Sequence, residues 1–256
     1  MNSGFITWWL ERHPEQFEAA AAHAPRALMF SFGDARPWIA KAKALGATTI
    51  CQVQSLAAAR EAAAAGADLV VAQGAEAGGH GGGRATLPLV PAVADALAPV
   101  PLAAAGGIAD GRGIAAALAL GAAGVLIGTR FMATREALST AAMRQRLIEG
   151  SGDETLRTTV FDAVRGYDWP RPFTGRALAN DFTRRWHGRE AALAEALAEE
   201  APLYRAASEA GDLSTALTWS GEGVDLIADA PPAAELLARL VAETEAALER
   251  AAALRR

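Results

Sequence analysis

The stretch Val71–Gly83, VAQGAEAGGHGGG, sets one histidine, His80, among six glycines directly after an apolar run. Imidazole exchanges protons near neutral pH, and glycine lets backbone N–H groups come close to a ligand. An acid–base group beside a backbone cradle is the layout of a reactive site. A second glycine turn follows at Ala105-Gly106-Gly107-Ile108 and a third at Ile127-Gly128-Thr129-Arg130, each again after an apolar run. Amides in such turns hold phosphate when they lie at strand ends of an α/β fold. Singly, each turn reads as a tight strand-to-helix connection. Together, at this spacing, they read as strand ends that meet on one phosphorylated ligand.

Other polar residues carry less. Gln52 and Gln54 end an apolar run, and periodicity does not choose which faces a ligand. Glu76 either orients His80 or caps the following turn. Arg112 and Arg130 either add charge at the phosphate turns or pair with surface carboxylates. His13, His23 and His187 lack partners at metal-ligand spacing, so no metal is assigned. The single cysteine, Cys51, forms no intrachain disulfide, and its apolar neighbours mark it as a buried thiol rather than a nucleophile.

Positioning these groups falls to a repeated unit. Apolar runs at Phe5–Trp8, Ala27–Phe32, Thr48–Val53, Asp68–Ala72, Val100–Ala104 and Gly124–Gly128 alternate with alanine-rich helical patterns at Pro37–Leu45, Ser55–Ala65, Leu89–Leu97 and Gly111–Leu120. The period is roughly 20 to 30 residues, that of βα units. Strands this apolar are buried on both faces, which favours a parallel (β/α)8 barrel of the TIM type within the α/β class. The barrel part is expected over 1–138, and a helical region packed on it over 139–256, with helices at Thr140–Glu149, Gly188–Glu200 and Pro232–Leu254. Between them Thr155–Arg185, with Phe161, Trp169 and Phe173 and followed by Trp186, reads as an ordered loop. An aromatic cluster that fastens the helical region is favoured there over a lid.

At 256 residues and 52% hydrophobic content, the chain has enough material for a large core. A net charge of −5 argues against general affinity for nucleic acid or an anionic membrane. No basic leader and no long apolar run stand at the N-terminus, so the expected compartment is the cytoplasm. A homo-oligomer is compatible with this composition.

AQGAEAGGHGG at Ala72–Gly82, AAGGIADGRG at Ala104–Gly113, GTRFMATRE at Gly128–Glu136 and ICQVQS at Ile50–Ser55 resemble the nitronate monooxygenase family, formerly the 2-nitropropane dioxygenases. The resemblance spans nearly the whole chain. It implies an FMN-dependent TIM-barrel enzyme that oxidises alkyl nitronates with dioxygen. It implies further that His80 faces the flavin as the active-site histidine, and that Gln73, Gly78 and Gly79 belong to the flavin-contacting loop. Gly106, Gly107, Ile127, Gly128 and Thr129 would hold the FMN phosphate through main-chain N–H groups. An imidazole there accepts the α-proton of a nitroalkane or, when charged, holds the nitronate. Two other outcomes stay open: a flavin reductase of the same superfamily that oxidises NAD(P)H to reduce a quinone or enoyl thioester, and an inactive barrel. An inosine-phosphate dehydrogenase-like chemistry is disfavoured, because Cys51 sits in a strand. One departure stands out: the family's first two strands, with an APMAG-like flavin loop, are missing before Gly4. A truncated sequence is therefore the expectation, since six strands alone leave two unpaired edges.

Overall fold

The computed structural model describes residues 2–254. Among them nine strands form: β1 (Asn2–Ile6), β2 (Ala27–Ser31), β3 (Thr48–Val53), β4 (Leu69–Gln73), β5 (Gly79–Gly81), β6 (Leu102–Ala105), β7 (Gly124–Leu126), β8 (Thr155–Thr158) and β9 (Thr174–Leu178). Six run parallel in one sheet in the order β1-β2-β3-β4-β6-β7, whereas β5, β9 and β8 make a separate antiparallel sheet. The six expected βα strands are thus present and the α/β class holds. The first lies at Asn2–Ile6 rather than Phe5–Trp8, because the chain turns into a short helix, Thr7–Leu10.

Contacts divide the chain into two compact units. The sheet unit comprises the residues up to Ala75, Gly82–Ala105 and Ala116–Leu126; the second unit comprises Glu76–Gly81, Gly106–Ala115 and the residues from Ile127 on.

In the sheet unit, alternation puts two apolar faces on the strands. Leu28, Phe30, Cys51, Val53, Val70, Ala72, Leu102 and Ala104 are buried on one face, where the helices Arg36–Ala44, Leu56–Ala64 and Thr86–Leu97 pack. Met29, Ile50, Leu69, Val71, Ala103, Ala105 and Leu126 cluster on the other. Full burial of a side chain such as Phe30 contributes about 1.5–3 kcal/mol. Polar groups fix the strand starts: the Asp68 carboxylate accepts from the Thr49 amide at 2.8 Å and the Thr49 hydroxyl at 2.6 Å. Ser55 begins the helix Leu56–Ala64 by accepting from the Ala58 amide at 3.1 Å.

The second unit contains all of 139–256, expected to be helical, yet that region also folds β8 and β9. The segment Thr155–Arg185 is correspondingly not one ordered loop: it holds β8, the helix Val160–Arg165, β9 and the start of the helix Asp181–Trp186. Two of its aromatics, Phe161 and Phe182, serve as core. Phe161, Phe182 and Trp186 are buried with Val160, Val164, Ala177, Leu193 and Tyr204, the last two from the helix Glu190–Ala210. The helix Asp181–Trp186 starts at a capping box, Asn180 Oδ1 accepting from the Thr183 amide at 3.0 Å and Thr183 Oγ1 from the Asn180 amide at 2.8 Å. Among the described residues no helix is long and apolar enough to cross a membrane.

Candidate functional site

His80 does not lie in an open loop. It is the central residue of β5 and pairs with Gly175 of β9. Gly175 has no side chain because the Trp219 ring occupies that space, and the edge of Trp219 meets His80 with centroids 5.1 Å apart. Trp169 lies flat on the imidazole, 3.4 Å between centroids and 9° between planes. Two indoles therefore fix the ring.

A carboxylate fixes its rotation. His80 Nε2 stands 2.9 Å from Asp162 Oδ2, and the two side chains are 11% and 4% exposed. Asp162 occupies the first turn of the helix Val160–Arg165, where the exposed amides and the helix dipole favour negative charge. Among the described residues, its other oxygen, Oδ1, is buried without a hydrogen-bond partner. A buried carboxylate is costly unless it is paired, so the imidazole contact is the main compensation on its side chain. A cavity of about 750 Å³ adjoins the pair, lined in part by Asp162, Tyr167, Trp169, Phe173 and Glu190. Asp162 and Trp169, which both touch His80, border that cavity.

The glycines around His80 have distinct reasons. A Cβ on Gly78 would stand 2.6 Å from the Gly221 nitrogen and 2.9 Å from Thr129 Oγ1, and that hydroxyl in turn accepts from the Gly221 amide at 2.9 Å. Gly78, Thr129 and Gly221 thus form one tight junction, which brings the third glycine turn against the His80 loop. Gly107 has φ +72°, with the Glu76 side chain beside it. Gly128 is different: a Cβ there would meet no atom within 4 Å. Among the described residues, the amides of Gly107 and Gly128 donate to no backbone carbonyl in a turn or loop bond. Gly106, Ile127 and Gly79 belong to the same unit, Gly79 facing Arg176 across the β5–β9 ladder.

Two arginines stand in register there, Arg157 of β8 opposite Arg176 of β9. Arg157 donates to the Thr174 carbonyl at 2.6 Å. Burial first, and the like charge of Arg176 second, push its pKa down to about 10. Arg176 is held 2.8 Å from Glu222.

The remaining candidates separate. Gln73 ends β4 in the sheet unit, where its Oε1 accepts from Gln54 Nε2 at 2.9 Å; both side chains are buried, so Gln54 rather than Gln52 is the inward glutamine. Glu76 contributes its carbonyl, which accepts from the Glu222 amide, and Asp162 takes the orienting place beside His80. Arg130 is buried against Asp229 at 2.5 Å, and Arg112 pairs with Asp110. His187 meets Thr158 Oγ1, and His13 meets Glu15. Asp162, Trp169, Trp219 and Gly221 lie 82 to 141 residues from His80 in sequence, and nothing in their spacing marked them.

A family model described as nitronate monooxygenase matches residues 12–243. The nitronate monooxygenase npaC of Metarhizium robertsii is 44% identical over 182 residues, covering 67% of this chain and 48% of that protein. A Mycobacterium tuberculosis (3aS,4S,5R,7aS)-5-hydroxy-7a-methyl-1-oxo-octahydro-1H-indene-4-carboxyl-CoA dehydrogenase is 31% identical, covering 94% and 77%. The crystal structure of a nitroalkane oxidase from Streptomyces ansochromogenes superposes with a TM-score of 0.75 at 33% identity, covering 90% of this chain and 67% of that one. The chain spans about half the length of npaC.

Proposed function

The chain belongs to the nitronate monooxygenase family, a family of flavin-dependent oxidoreductases, and from that premise we propose that it binds FMN and oxidises alkyl nitronates with dioxygen. The observation that carries this reading is His80, held between Trp169 and a buried carboxylate beside a cavity of about 750 Å³. The glycine turns fit a phosphate. Among the described residues, the amides of Gly107 and Gly128 find no backbone acceptor in the surrounding turns, and a Cβ on Gly128 would meet no atom within 4 Å. With Gly106, Ile127 and Thr129 they would hold the FMN phosphate, and Gly78 and Gly79 would keep the His80 loop against the flavin. The assignment of Gln73 to the flavin rests on the resemblance alone.

FMN, when bound, supplies the electron acceptor and the reaction with dioxygen. The chain supplies proton handling and exclusion of water. On a neutral nitroalkane, a ring nitrogen of His80 takes the α-proton, and the C–H electron pair passes into the nitro group. On a preformed nitronate there is no proton to remove, and the charged imidazole holds the anion. The Tyr167, Trp169 and Phe173 rings lining the cavity suit the apolar part of the substrate. We read the compartment as cytoplasmic and the partners as a small molecule and dioxygen.

A second reading is favoured by the 31% identical carboxyl-CoA dehydrogenase: redox chemistry on an acyl thioester with a nicotinamide nucleotide. One experiment separates the two. The purified chain is incubated with FMN, desalted, and its visible spectrum recorded; retained flavin is then titrated anaerobically with ethyl nitronate and with NAD(P)H. Bleaching by nitronate supports the proposal, rapid bleaching by NAD(P)H alone selects the second reading, and a colourless protein overturns both.

A further inference from the structure

Asp162 resembles an ordinary helix-start residue in sequence, but its surroundings are not those of one. Its side chain is 4% exposed, Oδ2 lies 2.9 Å from His80 Nε2, and Oδ1 is buried with no hydrogen-bond partner among the described residues. A residue kept only for the helix dipole gains as much at the surface, with water on both oxygens. We propose that Asp162 is a positioning residue that fixes His80 as the Nε2–H tautomer, so that the Nδ1 lone pair is the base. The step rests on the function proposed above only for what the base acts on; the tautomer assignment stands apart from it.

The chemistry follows from the donor inventory. A neutral imidazole has one N–H and one lone pair, and a carboxylate accepts only. The nitrogen facing Asp162 must therefore carry the hydrogen, and the lone pair falls on the opposite side of the ring. Stacking by Trp169 and the edge of Trp219 hold the ring against the half-turn that would put carbon Cε1 where Nε2 now faces Asp162. In reaction, the α-proton of a nitroalkane passes to Nδ1, and the resulting imidazolium keeps Nε2–H on the Asp162 carboxylate. The ring then bears one added proton, and the electron pair of the broken C–H bond resides on the nitronate.

The test needs no turnover. The chain is labelled with ¹⁵N-histidine, and the ring nitrogens are observed at a pH where imidazole is neutral. The sequence has four histidines, and the His80 signals are those lost in His80→Asn. Expected are a protonated Nε2 and a bare Nδ1. In Asp162→Asn the side-chain amide can donate to Nε2, so the pattern should reverse. A wild-type His80 carrying its hydrogen on Nδ1 overturns the proposal, as does an unchanged ring pattern in Asp162→Asn. Should that variant not fold, the wild-type spectrum alone decides. As a second readout, kcat on nitroethane in Asp162→Asn should fall by about 10²-fold or more with KM little changed, a larger loss than on ethyl nitronate, which has no proton to give up. A chain inactive on both substrates but with the expected tautomer would refute nitronate oxidation and uphold the role of Asp162.

Discussion

Replacing His80 by glutamine removes the base while setting an amide near the former Nε2, so the buried carboxylate keeps a donor. His80→Gln should retain FMN and lose turnover on neutral nitroalkanes by about 10²–10⁴-fold; steady-state kinetics at matched flavin content would check it, and undiminished turnover would remove His80 from the chemistry. His80→Ala is a poorer probe, because breaking a buried pair on one side costs about 3–5 kcal/mol. Cys51 offers a second residue-scale expectation. Burial, with a smaller contribution from the charge of Asp68, pushes its thiol up to about 12. A disulfide reagent at pH 8 should therefore leave the folded chain untouched and titrate one thiol after urea unfolding. Fast labelling of the native protein would show that the face of β3 bearing Cys51 opens.

At the scale of elements, two glycines separate folding from cofactor binding. Gly78→Ala puts a methyl group into the backbone of Gly221 and should destabilise the chain by about 1–3 kcal/mol. Gly128→Ala meets no protein atom and has an ordinary φ of −99°, so thermal stability should stay within about 0.5 kcal/mol of wild type. FMN affinity should nonetheless drop at Gly128→Ala, because the methyl takes the space assigned to phosphate; a flavin titration with unaltered affinity would contradict that placement. The same contrast explains what could be read from sequence. β4 and β6 are parallel strands buried on both faces and β2 and β3 are buried on one, and such strands appear as plain apolar runs. β8 is TLRT and β9 is TGRAL: short, polar, each with an arginine, and stabilised by partners far along the chain. No local pattern reveals such strands. The His80 loop announced itself through its glycines, whereas Asp162 became part of the site only by tertiary approach across 82 residues.

For the whole molecule, the acid limb of stability follows from its carboxylates. The Thr49 hydroxyl foremost holds the Asp68 carboxyl below its usual range, and the Gly152 amide foremost does the same for Asp225. A carboxyl whose folded pKa lies below the unfolded value near about 3.9 stabilises fully above that value and loses the contribution as pH falls through the folded one. Urea midpoints should therefore be level from about pH 7 to 5 and fall below about pH 4, and Asp68→Asn should shallow the fall. A decline already complete by pH 5 would point to groups other than these carboxylates. The interleaving of the two units has a further consequence, during biosynthesis. β5 ends at Gly81, while its ladder partner β9 begins only at Thr174. A ribosome adding about 5–20 residues per second makes the His80 segment about 5–20 s before any strand exists to receive it. The nascent chain thus carries His80 on an unpaired, glycine-rich tether through more than a third of translation, and a stop codon anywhere before β9 yields a product in which that tether never finds its ladder.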